Sequence, residues 1–513
     1  GYSHFMLKEI HEQPKAISET LNRRLDENGL IKLDGISLTK EELDGFSRIY
    51  IVACGTAYHA GLVGKKVIEK FAKIPVEVDV ASEFRYREPL VDEKTLFIAI
   101  SQSGETLDTL AALREAKSKG ARILSVVNVV GSSVARESDD VFYTWAGPEI
   151  AVASTKAYTT QLTCMYILGL YMGLTRGTIT EEFYREFMDD LKEVPGKLAE
   201  YLRDVREIEA LAKILYNRDQ VFFIGRGLDS AVAYEGSLKL KEISYINSFA
   251  IAAGELKHGT IALIEPGTLV LCLDTQDYLY EKMLSNIQEI KARGAHVLSI
   301  AKEGHREIEA QSNEVIYIPD CRDEITPLLS VVPLQLFSYY VAKERGCNID
   351  KPKNLAKSVT EEKMKDYEIR DLSLAPAGHQ KIEWVRNHMP ILRGMEDEFI
   401  KTKPFEGIKI SLSVHLEAKT AYLCKVLAAG GAQMSVTGSN PLSTKDEIAA
   451  ALADSGIKVY AYHAATPEEY ERHIEMCLEH KPNIIIDDGA DLVSCVHGKR
   501  PDLAEEVWGG CEE

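Results

Sequence analysis

Lys239 and Glu242 stand three residues apart in the segment GSLKLKEISY that begins at Gly236, and a second cluster, GELKHG, follows at Gly254. In a helix that spacing projects the lysine and the carboxylate from one face about one turn apart, where both can reach the same substrate carbon. A lysine, a carboxylate and a histidine gathered this closely are equipment for proton transfer on a carbonyl compound. A lone K-x-x-E pair is ordinarily a solvated surface ion pair, so its company decides how it is read. That company is a hydroxyl-rich turn, Ser101-Gln102-Ser103-Gly104-Glu105-Thr106, and an isolated lysine in Asn354-Leu355-Ala356-Lys357-Ser358. The turn follows an apolar strand-like run at 95–100 and precedes a helical pattern. Backbone N–H groups at such a helix start, joined by several hydroxyls, suit a phosphate monoester.

The elements that must position these residues repeat. Apolar Ile49–Ala53 runs into Cys54-Gly55-Thr56, and Val221–Ile224 runs into Gly225-Arg226-Gly227. Lys117-x-Lys119-Gly120-Ala121 returns as Lys291-x-Arg293-Gly294-Ala295, so both markers recur roughly 170 residues on, the distance of a duplicated domain rather than a solenoid repeat. Short apolar strands alternate with helical patterns in each copy, which predicts two parallel α/β sandwiches. In such folds ligands bind at the carboxyl ends of the strands, where the Ser101 turn falls. Gly225-Arg226-Gly227 lacks the rest of a dinucleotide fingerprint and is read as a tight strand-to-helix turn.

A chain of 513 residues, 45% hydrophobic, can bury large cores and should hold two or three domains. Its formal charge of −19 argues against nucleic acid or an anionic membrane as the main partner. The nine cysteines are scattered singly, the usage of a reduced, cytoplasmic protein, and no metal-ligand pattern stands out. No apolar run approaches the roughly 20 residues of a membrane span. The start, Gly1-Tyr2-Ser3-His4, reads as a cut inside a longer protein. The expected organisation is a helical lead-in at 1–30, α/β halves at 31–200 and 201–361, and a third, partial Rossmann-like α/β region at 362–513. Strand-like runs at 407–414, 432–437, 458–463 and 483–486 mark this last region, and Thr466-Pro467-Glu468-Glu469 opens one of its helices with a capping box.

Cys54-Gly55-Thr56, SQSGET at Ser101, VASTKA at Val152, LKLKEISY at Leu238, GELKHG at Gly254 and NLAKSVT at Asn354 occur in one order. Together they resemble the isomerase half of the glutamine–fructose-6-phosphate aminotransferases, or glucosamine-6-phosphate synthases, over residues 1 to about 361. The resemblance implies two sugar-isomerase (SIS) subdomains, fructose 6-phosphate as substrate and glucosamine 6-phosphate as product. It implies that Ser101, Gln102, Ser103 and Thr106 hold the phosphate, while Cys54, Gly55, Thr56, Val152, Ser154 and Ala356 line the sugar. His258 would assist ring opening, in the family often from the neighbouring subunit of a homodimer. Lys357 would form a Schiff base at C2, Glu242 would carry a proton between C1 and C2, and Lys239 would stabilise charge developing on oxygen. The family's glutaminase does not precede these motifs. The expected nitrogen donor is therefore free ammonia, or a glutaminase supplied as a separate partner, and glucose 6-phosphate is the expected product when nitrogen is absent.

The third region resembles adenosylhomocysteinase: Asp371-Leu372-Ser373-Leu374-Ala375, His388-Met389-Pro390, HLEAKT at His415, TGSNPLST at Thr437 and Asp487-Asp488-Gly489-Ala490-Asp491 follow its substrate-domain motifs in order. By that resemblance His415, Asp488 and Glu513 would surround a nucleoside ribose. No G-x-G-x-x-G occurs after residue 363, so the NAD-binding domain is absent from the reading, no cofactor is expected, and hydrolysis of adenosylhomocysteine is expected to be absent. Two families joined in one chain suggest a fusion, natural or engineered. The alternative to an enzyme is a silent sugar-phosphate-binding or scaffold protein. Replacing Lys357 with Ala separates the two: an isomerase should lose nearly all turnover of fructose 6-phosphate, whereas wild-type rates in the variant would exclude the Schiff-base role.

Overall fold

The computed structural model describes residues 1–355 and 367–512, so Ala356, Lys357 and Glu513 lie outside the described residues. The chain divides into two compact units, Gly1–Thr360 and Glu361–Glu513.

The first unit contains two five-stranded sheets. One is built from β1 (Arg48–Ala53), β2 (Val76–Val80), β3 (Thr95–Ser101), β4 (Arg122–Val127) and β5 (Asp140–Tyr143), in the order β2-β1-β3-β4-β5. The other holds β6 (Gln220–Gly225), β7 (Asn247–Ala252), β8 (Leu269–Asp274), β9 (His296–Lys302) and β10 (Glu314–Ile318), in the order β10-β9-β8-β6-β7. Read from its own second strand, the latter order repeats the former, and every pairing in both sheets is parallel. The duplication legible in the sequence is therefore a duplication of topology. β1, β3, β6 and β8 are buried along almost their whole lengths, as strands covered by helices on both faces must be.

Matching helices of the two halves meet. Helix Gly55–Ala72, which leaves β1, packs against helix Leu228–Ser244, which leaves β6; Lys156–Arg176 packs against Thr326–Glu344. One continuous apolar core joins them, with Val63, Val67, Met165, Val232, Leu240, Leu334 and Phe337 among its members. Gly236 permits the close approach, because a Cβ there would come within 2.7 Å of Leu334 Cδ1. The segment Asp323–Glu344 is long and apolar enough to cross a membrane, yet its apolar stretch is buried inside this core, which explains its composition. The lead-in helix Phe5–Asn22 is tied down where Asp350 accepts the Phe5 and Met6 backbone N–H groups at 2.8 and 2.9 Å.

The second unit is a six-stranded parallel sheet of β11 (Tyr367–Glu368), β12 (Lys409–Val414), β13 (Gln433–Gly438), β14 (Lys458–Tyr460), β15 (Ile484–Asp487) and β16 (Gly509–Glu512), ordered β11-β14-β13-β12-β15-β16. The four strands expected from the sequence are present. The short edge strands β11 and β16 were not expected. The capping box at Thr466 is formed, with Thr466 accepting from Glu469 N and Glu469 accepting from Thr466 N.

Candidate active site

In a sheet of order 2-1-3-4-5 the chain runs in opposite directions from the first and third strands, and the crevice opens where their carboxyl ends diverge. Between β1 and β3 lies a cavity of about 230 Å³. Cys54, Gly55 and Thr56 line it from the end of β1; Ser101, Gln102, Ser103 and Thr106 line it from the end of β3. Val152, Ser154, Gln161, Glu242 and Leu355 complete the wall. The structure thus brings together ten of the residues singled out in the sequence.

The turn after β3 is held open by its own hydroxyls. Ser101 Oγ and Thr106 Oγ1 share a hydrogen bond of 2.9 Å, Ser101 Oγ accepts from Gly104 N at 3.0 Å, and Ser103 Oγ accepts from Glu105 N at 3.2 Å. Glu105, absent from the cavity lining, accepts from Ser133 N at 2.8 Å. Gly104 has φ +66°, and a Cβ there would overlap the Ser132 hydroxyl. The helix Leu107–Ser118 starts directly after Thr106, whose side chain makes no capping bond, and the helix's positive end faces the turn.

The opposite wall carries charge. Lys239 is completely buried on helix Leu228–Ser244 and is paired with both Glu242 and Glu235, the latter at 3.5 Å. Glu235 is also fully buried; it accepts from Thr56 Oγ1 at 3.0 Å and from His59 Nδ1 at 2.7 Å. Burial alone would lower the Lys239 pKa, but the Glu242 and Glu235 carboxylates outweigh it and hold the ammonium above its ordinary value. The pair is therefore no solvated surface contact. Glu242, one helical turn beyond Lys239 and partly exposed, faces the cavity. Glu235 and His59 were missed in the sequence. One signal existed: Glu235 lies four residues before Lys239, the spacing of a helical ion pair. His59 pairs across two domains, which no local spacing reveals.

His258 ends the 3-10 helix Ala253–His258, is exposed and does not line this cavity. Leu355 does line it, two residues before Lys357, which lies outside the described residues together with Ala356.

The corresponding crevice of the second sheet is differently furnished. Gly227, with φ +62°, makes the tight strand-to-helix turn, and a Cβ there would sit 2.9 Å from Leu279 and 3.1 Å from the Tyr278 hydroxyl. Acidic side chains stand at this strand end: Asp274 ends β8, and burial, reinforced by Asp229 and Asp277, pushes its pKa up to about 9, while the following Thr275 hydroxyl is engaged with Asp229.

In the second unit the strand order reverses between β12 and β15. His415 follows β12 and Asp488 follows β15; His415 Nε2 lies 3.8 Å from Asp488 Oδ2, Ser439 Oγ donates to Asp488 at 3.2 Å, and His415 Nδ1 contacts the Ser443 hydroxyl. Glu513 lies outside the described residues. The described residues here hold no Gly-x-Gly-x-x-Gly turn to cradle a dinucleotide pyrophosphate.

A doubled 2-1-3-4-5 fold with one hydroxyl-lined crevice defines the first unit as a double phosphosugar-isomerase-type domain. The SIS domain model matches residues 43–170 and 214–345. A solved C-terminal domain of glucosamine-fructose-6-phosphate aminotransferase from Francisella tularensis is 41% identical, with a TM-score of 0.65, over 69% of this chain and 99% of that one. The chain belongs to the SIS family, as a double SIS domain of the type found in the glutamine–fructose-6-phosphate aminotransferases. The aminotransferase (isomerizing) of Caldanaerobacter subterraneus is 62% identical over 363 residues, which make up 71% of this chain and 60% of that relative. The Clostridium acetobutylicum enzyme of the same name is 60% identical, and again the chain spans 60% of the relative's length. Residues 366–508 match the S-adenosyl-L-homocysteine hydrolase model.

The geometry of the turn yields a direct test. Gly104→Ala forces a left-handed residue and a clash with Ser132, strain on the order of 1–3 kcal/mol. Calorimetry with fructose 6-phosphate should show affinity reduced at least several-fold, while wild-type affinity would mean that this turn does not hold the phosphate.

Proposed function

We propose that the first unit interconverts fructose 6-phosphate and glucose 6-phosphate and, given ammonia, forms glucosamine 6-phosphate. The observation that carries this reading is the buried Lys239–Glu242 pair facing a phosphate-type turn across one small cavity. The phosphate would sit on the Ser101–Thr106 turn, leaving the sugar carbons toward Glu242. His258, contributed by a second copy in a homodimer, would assist opening of the ring. The Lys357 amine would add to the C2 carbonyl and expel water, giving a Schiff base. While C2 is still an imine, ammonia would add there and expel the Lys357 amine, leaving a free imine, or water would add and expel it, leaving the ketone. Glu242 would then take a proton from C1 and return it to C2, giving a C1 aldehyde with nitrogen or oxygen on C2, while the Lys239 ammonium stabilises the charge that develops on the C1 oxygen. No cofactor enters this scheme.

For the second unit the proposal is limited to contact of His415 and Asp488 with a nucleoside ribose, without hydrolysis of adenosylhomocysteine. The proposed setting is cytoplasmic, with ammonia supplied free or by a separate glutaminase.

The test follows glucose 6-phosphate and glucosamine 6-phosphate separately as the purified chain consumes fructose 6-phosphate with ammonium or with glutamine. Amino sugar with ammonium but not glutamine is expected. Absence of both products from a folded chain that still binds the substrate would leave only a binding module. Glu235→Gln adds a check on Lys239. Removing one of the two carboxylates that outweigh burial should move the alkaline limb of kcat/KM to lower pH. An unmoved limb would take Lys239 out of the charge-stabilising role.

A further inference from the structure

Gln161 lies on helix Lys156–Arg176, is 2% exposed and lines the cavity beside Val152, Ser154 and Glu242. Its Oε1 is buried without a hydrogen-bond partner. A carboxamide offers two acceptor and two donor positions, and burying its oxygen unpaired costs about as much as losing a hydrogen bond. Three threonine hydroxyls on the same helix are satisfied: Thr159 donates to Gln13 Oε1 at 3.1 Å, Thr160 to the Lys156 carbonyl at 2.9 Å, and Thr163 to the Thr159 carbonyl at 2.8 Å; the buried Tyr158 hydroxyl, like Gln161 Oε1, has no partner, but Tyr158 does not line the cavity. The orphaned group is thus the one on the wall of a cavity that otherwise presents hydroxyls, a carboxylate and backbone. Turning the amide over exchanges oxygen for nitrogen but leaves a polar atom at the same buried position.

We propose that the Gln161 carboxamide is a substrate-binding group that accepts a hydrogen bond from a hydroxyl of the bound ketose phosphate. The ligand class rests on the function proposed above. A carbonyl oxygen accepts from a sugar hydroxyl and has nothing to offer the oxygens of a phosphate dianion, so Gln161 recognises the carbon chain of the ligand and not its phosphate.

The experiment compares Gln161→Leu and the closer-sized Gln161→Met with wild type, using the full chain. Calorimetry gives the Kd of fructose 6-phosphate and of inorganic phosphate, and thermal unfolding is followed without ligand. The expected result is a fructose 6-phosphate Kd raised about tenfold, the scale of one lost hydrogen bond. Phosphate affinity should be unchanged, and Tm equal or higher because an unpaired buried acceptor has gone. Fructose 6-phosphate affinity equal to wild type in both variants would overturn the proposal. So would a lower Tm with both affinities falling together, the signature of an amide satisfied by a resident water and serving structure alone. Wild-type binding without turnover would sink only the catalytic reading. Failure of the wild-type chain to bind fructose 6-phosphate would sink the proposed ligand and Gln161's role with it.

Discussion

The first unit depends on how it buries the ammonium of Lys239. An isolated charge in an apolar interior is too costly to persist, and it would shed its proton unless paired and hydrogen-bonded. Lys239 is completely buried but lies between Glu235 and Glu242, and Glu235 is itself satisfied from the other half of the duplication by Thr56 and His59. Breaking a buried pair of this kind by removing one partner typically costs about 3–5 kcal/mol. The packing of helix Gly55–Ala72 on Leu228–Ser244 therefore does two things at once. It closes the apolar core, and it brings Thr56 and His59 onto Glu235, one of the two carboxylates that flank the buried lysine.

That coupling explains why a duplicated fold has a single furnished site. Each sheet opens a crevice at its own switch point, so the topology provides two. The first received hydroxyls and a left-handed glycine at Gly104, with room for a phosphate against a helix start. The second received Asp274, Asp229 and the side chains of Tyr278 and Leu279 packed over Gly227. Its helix Leu228–Ser244 nevertheless serves the first crevice, since Glu235, Lys239 and Glu242 all stand on it. The second half has become the wall of the first half's site.

Much of this was legible in the sequence because it depends on local rules. The strand-then-turn pattern located the Ser101 loop, the three-residue spacing joined Lys239 to Glu242, and the repeated Gly-Ala strand starts exposed the duplication. The unseen parts depend on packing between distant segments. His59 meets Glu235 only because two equivalent helices touch, and the orphaned amide oxygen of Gln161 is invisible until the packing around its helix is known. Among the strands, β16 escaped because Gly509 and Gly510 carry no strand propensity; its backbone is held by pairing with β15. β11 is only two residues long and is set by its pairing with β14.

The second unit follows the same geometric rule with different chemistry. Its strand order reverses between β12 and β15, and His415 and Asp488 stand at those two carboxyl ends. Ser411 and Ser413, within β12, are fully buried, whereas His415, just beyond the strand, is exposed. The change from buried hydroxyl to exposed imidazole within a few residues marks where the sheet ends and the solvent-facing surface begins. A histidine, a carboxylate and the Ser439 and Ser443 hydroxyls suit a neutral polyol such as ribose, because carboxylate and imidazole can divide acceptor and donor roles between adjacent hydroxyls. The Ser101 turn, with its backbone N–H groups and helix start, suits an anion. The parallel sheets fix where the crevices open, and the residues in the first turn after each strand give each crevice its chemistry.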